Sequence, residues 1–134
     1  MLLASHWLEV RVEASLRVNI YTDGSVRIIE LFDNLVAEET ESMRDYLETE
    51  IQEGHVRLIL DFARVDYMCS FALGALVNML KKVRASGGDL KLTRVNSWLK
   101  NLLSIAQVSK VIDIYDTVPE AVKAFSALPF PAEQ

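Results

Sequence analysis

The side chains best suited to chemistry are a thiol and a hydroxyl next to each other, Cys69 and Ser70, just before a helical run of apolar residues. At a helix N-terminus, a serine hydroxyl can cap a free backbone N–H, or it can accept a phosphoryl group that the helix end stabilises. A cysteine there can be a redox-active thiol, although a small packed side chain is the commoner role. The sequence therefore predicts a phosphoacceptor candidate at Ser70, with capping as an alternative or additional role.

An aromatic residue follows directly. At 100° per residue, Phe71 lies opposite Leu73 and Leu80 on the helix, which predicts that its ring faces outward. An outward aromatic with apolar and polar neighbours indicates a protein contact, although single exposed apolar residues are common. We predict a partner-binding surface made of Asp66, Cys69, Ser70, Phe71, Ala75, Asn78, Met79 and Lys82. Trp98 is either a further anchor beside Phe71 or a cover for the sheet edge.

Other kinds of site lack their sequence signals. His6 and His55 are far apart and have no third ligand at metal-like spacing. The chain has no Gly-rich phosphate loop and no nucleophile elbow, so we predict no catalytic residue, no metal and no cofactor. Lys81, Lys82 and Arg84 form the only dense basic cluster, which argues against nucleic acid as a partner.

The bulk properties are those of one folded domain. The chain has 134 residues, of which 51% are hydrophobic and 25% charged, and its single cysteine allows no internal disulfide. The net charge of −5 is uneven, because residues 1–67 carry 6 basic and 14 acidic side chains and residues 68–134 carry 8 and 5. Such asymmetry usually reflects solvated helix faces, but it could also steer a protein partner or a second copy of the chain.

We also expect a cytoplasmic location without membrane insertion. The opening residues lack a basic segment typical of a signal peptide, and no run reaches the roughly 18 apolar residues that span a bilayer.

The pattern along the chain predicts an α/β fold. Alternating or continuous apolar runs predict strands, and apolar residues three and four apart predict helices. The strands are predicted at 8–12, 16–21, 26–31, 56–60, 90–93 and 111–115, and the helices at 38–53, 70–85, 97–106 and after a capping box at Thr117 and Glu120. This order gives a mixed, partly parallel sheet of about four to six strands with about four helices mainly on one face.

Residues 56–96, VRLILDFARVDYMCSFALGALVNMLKKVRASGGDLKLTRVN, resemble the central signature of STAS domains. In that family a buried strand ends in Asp, here Asp61, and a later Leu-Gly pair, here Leu73 and Gly74, lies in the first turns of a helix. A Gly-Gly turn, here at 87–88, precedes the next strand. Weaker similarity covers about 16–125, so the resemblance implies one STAS-like domain over residues 1–134.

The chain departs from the family at the functional motif. Cys69 stands where the family has Asp, Ala72 where it has Gly, and Phe71 where sporulation-type antagonists have their phosphorylated serine. The Ser70-Phe71 pair instead resembles stressosome-type antagonists, which are phosphorylated on the serine before the Phe. The loop at 33–36, Asp-Asn-Leu-Val, also differs from the Gly-Glu-Leu-Asp common in the family.

The resemblance implies a regulator rather than an enzyme. It implies an anti-sigma factor antagonist that binds an anti-sigma factor or a related serine/threonine kinase, with phosphorylation at Ser70 as the switch and homodimerisation as a further option. The kinase would supply ATP and all the chemistry. The alternative is a STAS adaptor subunit that never switches, in a stressosome-like or transporter-associated complex, which the missing Asp favours.

Overall fold

The protein is described here from a computed structural model, which places residues 9–13 and 16–127. Its elements follow the predicted order of strands and helices: β1 (Glu9–Glu13), β2 (Leu16–Asp23), β3 (Val26–Leu31), α1 (Ala37–Gln52), β4 (Arg57–Asp61), α2 (Ser70–Ala85), β5 (Asp89–Thr93), α3 (Ser97–Ile105), a 3-10 turn (Val108–Lys110), β6 (Asp113–Tyr115) and α4 (Val118–Ala127). The last strand begins two residues later than predicted because the backbone N–H groups of Val111 and Ile112 donate back to the Val108 carbonyl in that turn.

The strands form a single six-stranded sheet in the order β1-β2-β3-β4-β5-β6. The pairs β1–β2 and β2–β3 are antiparallel, and β3 to β6 are parallel. In β2 the apolar residues Leu16, Val18 and Ile20 alternate with more exposed side chains, whereas β4 is almost continuously buried because helices cover both of its faces. The predicted mixed sheet is confirmed.

The two faces of the sheet are covered unequally. The larger core contains side chains from α1, α2 and α3, packed on residues such as Leu60 and Leu92 of the central strands. The smaller core on the other face is formed by Ala121 and Phe125 of α4 against Ile28 and Ile59. Three helices on one face and one on the other confirm the prediction that the helices lie mainly on one side.

The smaller core encloses a lysine. The Lys91 side chain on β5 is 2% exposed, and its ammonium lies 3.1 Å from carboxylate oxygens of both Asp89 and Asp113. It also lies 4.8 Å from the ring centre of Phe125. Burial alone lowers the pKa of Lys91, but the hydrogen bonds to Asp113 and Asp89 outweigh it, so the pKa is raised above its ordinary value.

No helix among the described residues is long and apolar enough to cross a membrane.

Candidate functional site at the carboxyl ends of the parallel strands

Three loops meet where β3, β4 and β5 end, because the carboxyl ends of parallel strands lie at one edge of a sheet. The loop after β4 is fixed to the loop after β3: the Asn34 side-chain oxygen accepts hydrogen bonds from the backbone N–H groups of Asp66 at 2.8 Å and Tyr67 at 3.2 Å. Leu35 then pairs with Met68 in a short parallel bridge. These contacts hold the start of α2 against the start of α1.

The bridge decides where α2 begins. The backbone N–H of Cys69 donates to the Leu35 carbonyl at 2.9 Å, and Cys69 is extended, with φ −86° and ψ 171°. Cys69 is therefore the N-cap of α2, although no side chain caps the helix. The structure does not support the alternative that the Ser70 hydroxyl caps the helix, because this pairing keeps Cys69 extended and Ser70 becomes the first helical residue.

Ser70 is exposed, and its hydroxyl makes no hydrogen bond to a described residue. It lines a shallow depression of about 260 Å³ between α1 and α2, together with Arg44, Phe71, Gly74, Ala75 and Asn78. Arg44 is the only charged side chain in this lining, and its Nε is buried without a hydrogen-bond partner. A guanidinium and an exposed hydroxyl therefore line the same depression.

The outward face of α2 is narrower than predicted. Phe71, Asn78 and Lys82 are exposed as expected. Ala75 and Met79 were predicted on the same contact face, but they are only 4% and 1% exposed and belong to the larger core. The cause is α1, which packs alongside α2 and buries a second side of it; Ala75 remains accessible only as the floor of the depression.

Asp66 and Cys69, the other predicted contact residues, differ in accessibility. Asp66 is exposed in the loop before α2, whereas Cys69 is half-buried and packs against the larger core. The packed position of Cys69 favours the filler role over a redox thiol.

The start of α3 completes this end of the molecule. The Asn96 side-chain oxygen caps the helix by accepting from the Leu99 N–H at 2.8 Å, and its amide donates to the Val65 carbonyl at 3.4 Å. Trp98 in the first turn packs on Tyr67, with ring centres 5.8 Å apart and planes tilted by 30°. Trp98 is therefore a surface residue fixed beside the loop before α2, and both rings remain substantially exposed.

Four exposed large apolar residues thus come from the segments at this end of the sheet. We call Val36, Tyr67, Phe71 and Trp98 the loop-end patch. Sequence reasoning missed Tyr67 and Val36, because each is an isolated apolar residue in a loop and only the tertiary pairing of the loops shows that they share an end. An aromatic residue in a loop next to Asp66 was the available signal for Tyr67.

The charged side chains near the loop-end patch are acidic residues and basic residues, most of which form ion pairs. The first turn of α1 carries Glu38 and Glu39. Three cations at this end have partners of their own, as Arg64 pairs with Glu30, Arg94 with Asp61, and Lys100 with Asp116. Arg44 differs, because its buried Nε beside the Phe71 depression has no hydrogen-bond partner among the described residues.

A hydrogen bond from the Arg17 guanidinium fixes the loop after β3. Together with the Arg17 backbone N–H and charge, it holds the pKa of Asp33 below its ordinary value, against a smaller opposing effect of burial.

A second polar cluster lies at the end of α1 and contains His55. The sequence predicts no metal site there, because His6 and His55 have no third ligand at metal-like spacing. Glu50, Glu53 and His55 bring potential metal-ligating atoms within 4.8 Å of one another. The Arg27 guanidinium already binds both oxygens of Glu50, at 2.8 and 3.0 Å, and thereby occupies the central carboxylate of the cluster. His6 lies outside the described residues.

Known proteins are similar to this chain in sequence and in fold. A Thermotoga maritima protein named as a candidate anti-sigma factor antagonist is 33% identical over 73 residues, a match that covers 54% of this chain and 65% of that protein's length. A crystal structure of such an antagonist from the same organism has a TM-score of 0.76 at 27% identity, covering 80% of this chain and 92% of the other. The phosphorylated form of the Bacillus cell fate determinant SpoIIAA has the same fold, with a TM-score of 0.62 at 18% identity, covering 88% of this chain and 98% of the other.

A match to a protein family covers more of the chain than the 73-residue match to the Thermotoga protein. The model of the STAS domain matches residues 17–121, from β2 into α4, and so includes the loop-end patch and the whole of α2. The chain belongs to the STAS domain family.

Proposed function

We propose that this chain is an anti-sigma factor antagonist that binds an anti-sigma factor or a related serine/threonine kinase through the start of α2, and that phosphorylation of Ser70 weakens this binding. The observation that carries the proposal is the position of Ser70: it is exposed, its hydroxyl makes no hydrogen bond to a described residue, and it directly precedes Phe71, which is 40% exposed. The name of the Thermotoga relative and the phosphorylated form of SpoIIAA support it.

The surroundings of Ser70 suit a phosphoryl group. Phosphorylation would add about −1.5 to −2 charges next to Phe71. The first-turn N–H groups of α2 and the Arg44 guanidinium across the depression would stabilise that charge. A partner that docks on Phe71 would then meet a charged, hydrated group in place of an apolar surface.

Phe71 is the proposed contact anchor, with Asp66, Asn78 and Lys82 around it. Lys82 is held in an ion pair with Glu48 of α1, so its stem is fixed along the groove between the two helices. Exposed aromatic residues at the centre of a small patch are typical of binding hot spots.

The test is phosphorylation by purified kinase. Incubation of the chain with the serine kinases of its host and ATP should add one phosphate, located on Ser70 by mass spectrometry. Ser70→Ala should abolish the modification, and Ser97→Ala is the matched control, since Ser97 is an exposed serine at the same first position of α3. Phosphate that persists in Ser70→Ala would overturn the assignment.

Binding provides the second measurement. Phe71→Ala should weaken the affinity for the anti-sigma partner by more than tenfold, which corresponds to about 1.4 kcal/mol. If that affinity is unchanged and Ser70 carries no phosphate in the host, the alternative of a non-switching STAS adaptor takes over. The observation in its favour is that Cys69 and Phe71 depart from the family motif.

A further inference from the structure

Among the described residues, the Tyr67–Trp98 pair is an exposed aromatic surface that the proposal for α2 leaves without a role. Tyr67 is 44% exposed and Trp98 54%, although the two rings pack on each other. The two rings therefore offer a partner a continuous surface, next to Asp66 in the chain and at the same end of the sheet as Phe71.

Both rings are fixed before any partner arrives. Asn34 holds the backbone of the Tyr67 segment through two hydrogen bonds, at 2.8 and 3.2 Å. Asn96 caps α3, which carries Trp98, and reaches back to the Val65 carbonyl of the same loop. Binding at a surface ordered in advance costs less conformational entropy than binding at mobile side chains.

The charge next to the rings is negative and uncompensated. The Asp66 carboxylate makes no ion pair or hydrogen bond with any of the described residues, and only its backbone N–H is engaged. Three cations of the neighbouring segments, Arg64, Arg94 and Lys100, are each bound to an acid of their own. The surface therefore offers aromatic faces and a free carboxylate, and the ligand complementary to both is a cation.

We infer that Tyr67, Trp98 and Asp66 form a docking site for an arginine side chain of the protein partner. This inference rests on the proposed function and extends the partner surface from α2 to α3. A guanidinium can stack on the indole face of Trp98 by a cation–π interaction while it donates charge-assisted hydrogen bonds to Asp66. Arginine fits better than lysine because its planar group stacks on a ring and can pair with a carboxylate at the same time.

The experiment uses the full chain and the anti-sigma factors of its host, each purified. The sequence contains two tryptophans, so Trp7→Phe leaves Trp98 as the only one and its fluorescence reports binding directly. In calorimetric titrations, Trp98→Ala and Asp66→Asn should each weaken binding at least tenfold. Asp66→Asn should also reduce the salt dependence of the affinity, since it removes an attractive charge.

The matched control is Ile105→Ala at the other end of α3, where an apolar side chain is 72% exposed. Its affinity should stay within twofold of the wild type. Circular dichroism of each variant must show an intact fold before the affinities are compared.

The outcomes separate this inference from the proposed function. If Phe71→Ala weakens binding while Trp98→Ala and Asp66→Asn do not, the α2 surface is used and the arginine site is wrong. If none of the host's anti-sigma factors binds, both fail. If acrylamide does not quench Trp98 in the unbound Trp7→Phe chain, another segment or a second copy already covers the rings, and the inference is also overturned.

Discussion

The helices α2 and α3 both begin after the carboxyl end of a parallel strand, each with an exposed serine in its first position, yet the two starts are built differently. At α3 a side chain, Asn96, caps the helix and also binds the neighbouring loop. At α2 the capping residue is Cys69, which contributes no side-chain hydrogen bond, and the segment is held by backbone pairing with Leu35. The comparison teaches that backbone bonds can fix a helix start while leaving its side chains free for recognition.

Asn34→Ala should have the largest effect on stability, because Asn34 is the side chain that fixes the loop before α2. The substitution removes two hydrogen bonds to backbone N–H groups, and we expect the free energy of unfolding to fall by about 1–3 kcal/mol in chemical denaturation. The amide protons of Asp66 and Tyr67 should also exchange faster. Asn78→Ala is the control, since Asn78 is exposed on α2, and a loss there as large as in Asn34→Ala would contradict the prediction.

Asn96→Ala should cost about 1 kcal/mol, within the usual range for loss of an N-cap, because the Leu99 N–H loses its acceptor. The measurement is the shift of the urea midpoint at unchanged m-value. Asn101→Ala, in the exposed middle of the same helix, should change stability by less than about 0.5 kcal/mol. If Asn96→Ala and Asn101→Ala lower the stability equally, the Asn96 side chain does not act as a cap, and this difference between α3 and α2 does not exist.

Asp33→Asn tests the electrostatic part of the loop after β3. The pKa of Asp33 is lower in the folded protein than its ordinary 3.8, so its ionised form stabilises the fold above that value and the contribution is lost as the pH falls through the folded-state pKa. The stability difference between wild type and Asp33→Asn should be constant above about pH 5 and shrink below about pH 4.

The size of the Asp33 effect should stay below about 1 kcal/mol, since the Arg17 side chain is 60% exposed and solvent screens the pair. In an Arg17→Gln background, Asp33→Asn should change stability much less. A pH-independent difference in the wild-type background would refute the role of the ion pair.

Ser70→Ala should have the smallest effect, less than about 0.5 kcal/mol, because the hydroxyl neither caps α2 nor binds a described residue. Thermal and urea unfolding should therefore be nearly those of the wild type. A loss near that of Asn96→Ala would mean that Ser70 does cap the helix in solution, and the contrast between the two helix starts would disappear.

Much of the fold was predictable because its signals are local. The bounds of α2 match the prediction at both ends, since a run of helical apolar spacing is closed by a Gly-Gly turn. The parallel half of the sheet follows from the alternation of strands and helices after residue 56. The position of Phe71 on an exposed face follows from helical periodicity alone.

What the sequence could not show depends on long-range packing. Ala75 and Met79 are buried by α1, whose angle and distance no local pattern contains. Cys69 rather than Ser70 caps α2 because of a backbone bond to Leu35, more than thirty residues earlier. Lys91 falls in a strand pattern typical of a solvent-facing position, and only the placement of α4 encloses it.

The enclosure of Lys91 makes its amine a chemical probe of the local opening of α4. Amine-acylating reagents need an accessible, deprotonated amine. The ring of Phe125 covers the Lys91 ammonium, and the carboxylates of Asp89 and Asp113 favour its protonated form. Surface lysines such as Lys81 and Lys82 will be labelled quickly, whereas Lys91 will be labelled only in molecules in which α4 has lifted from the sheet. Because reclosing is faster than acylation, the rate of label incorporation at Lys91 relative to that of a surface lysine reports the fraction of molecules in which the fourth helix is open.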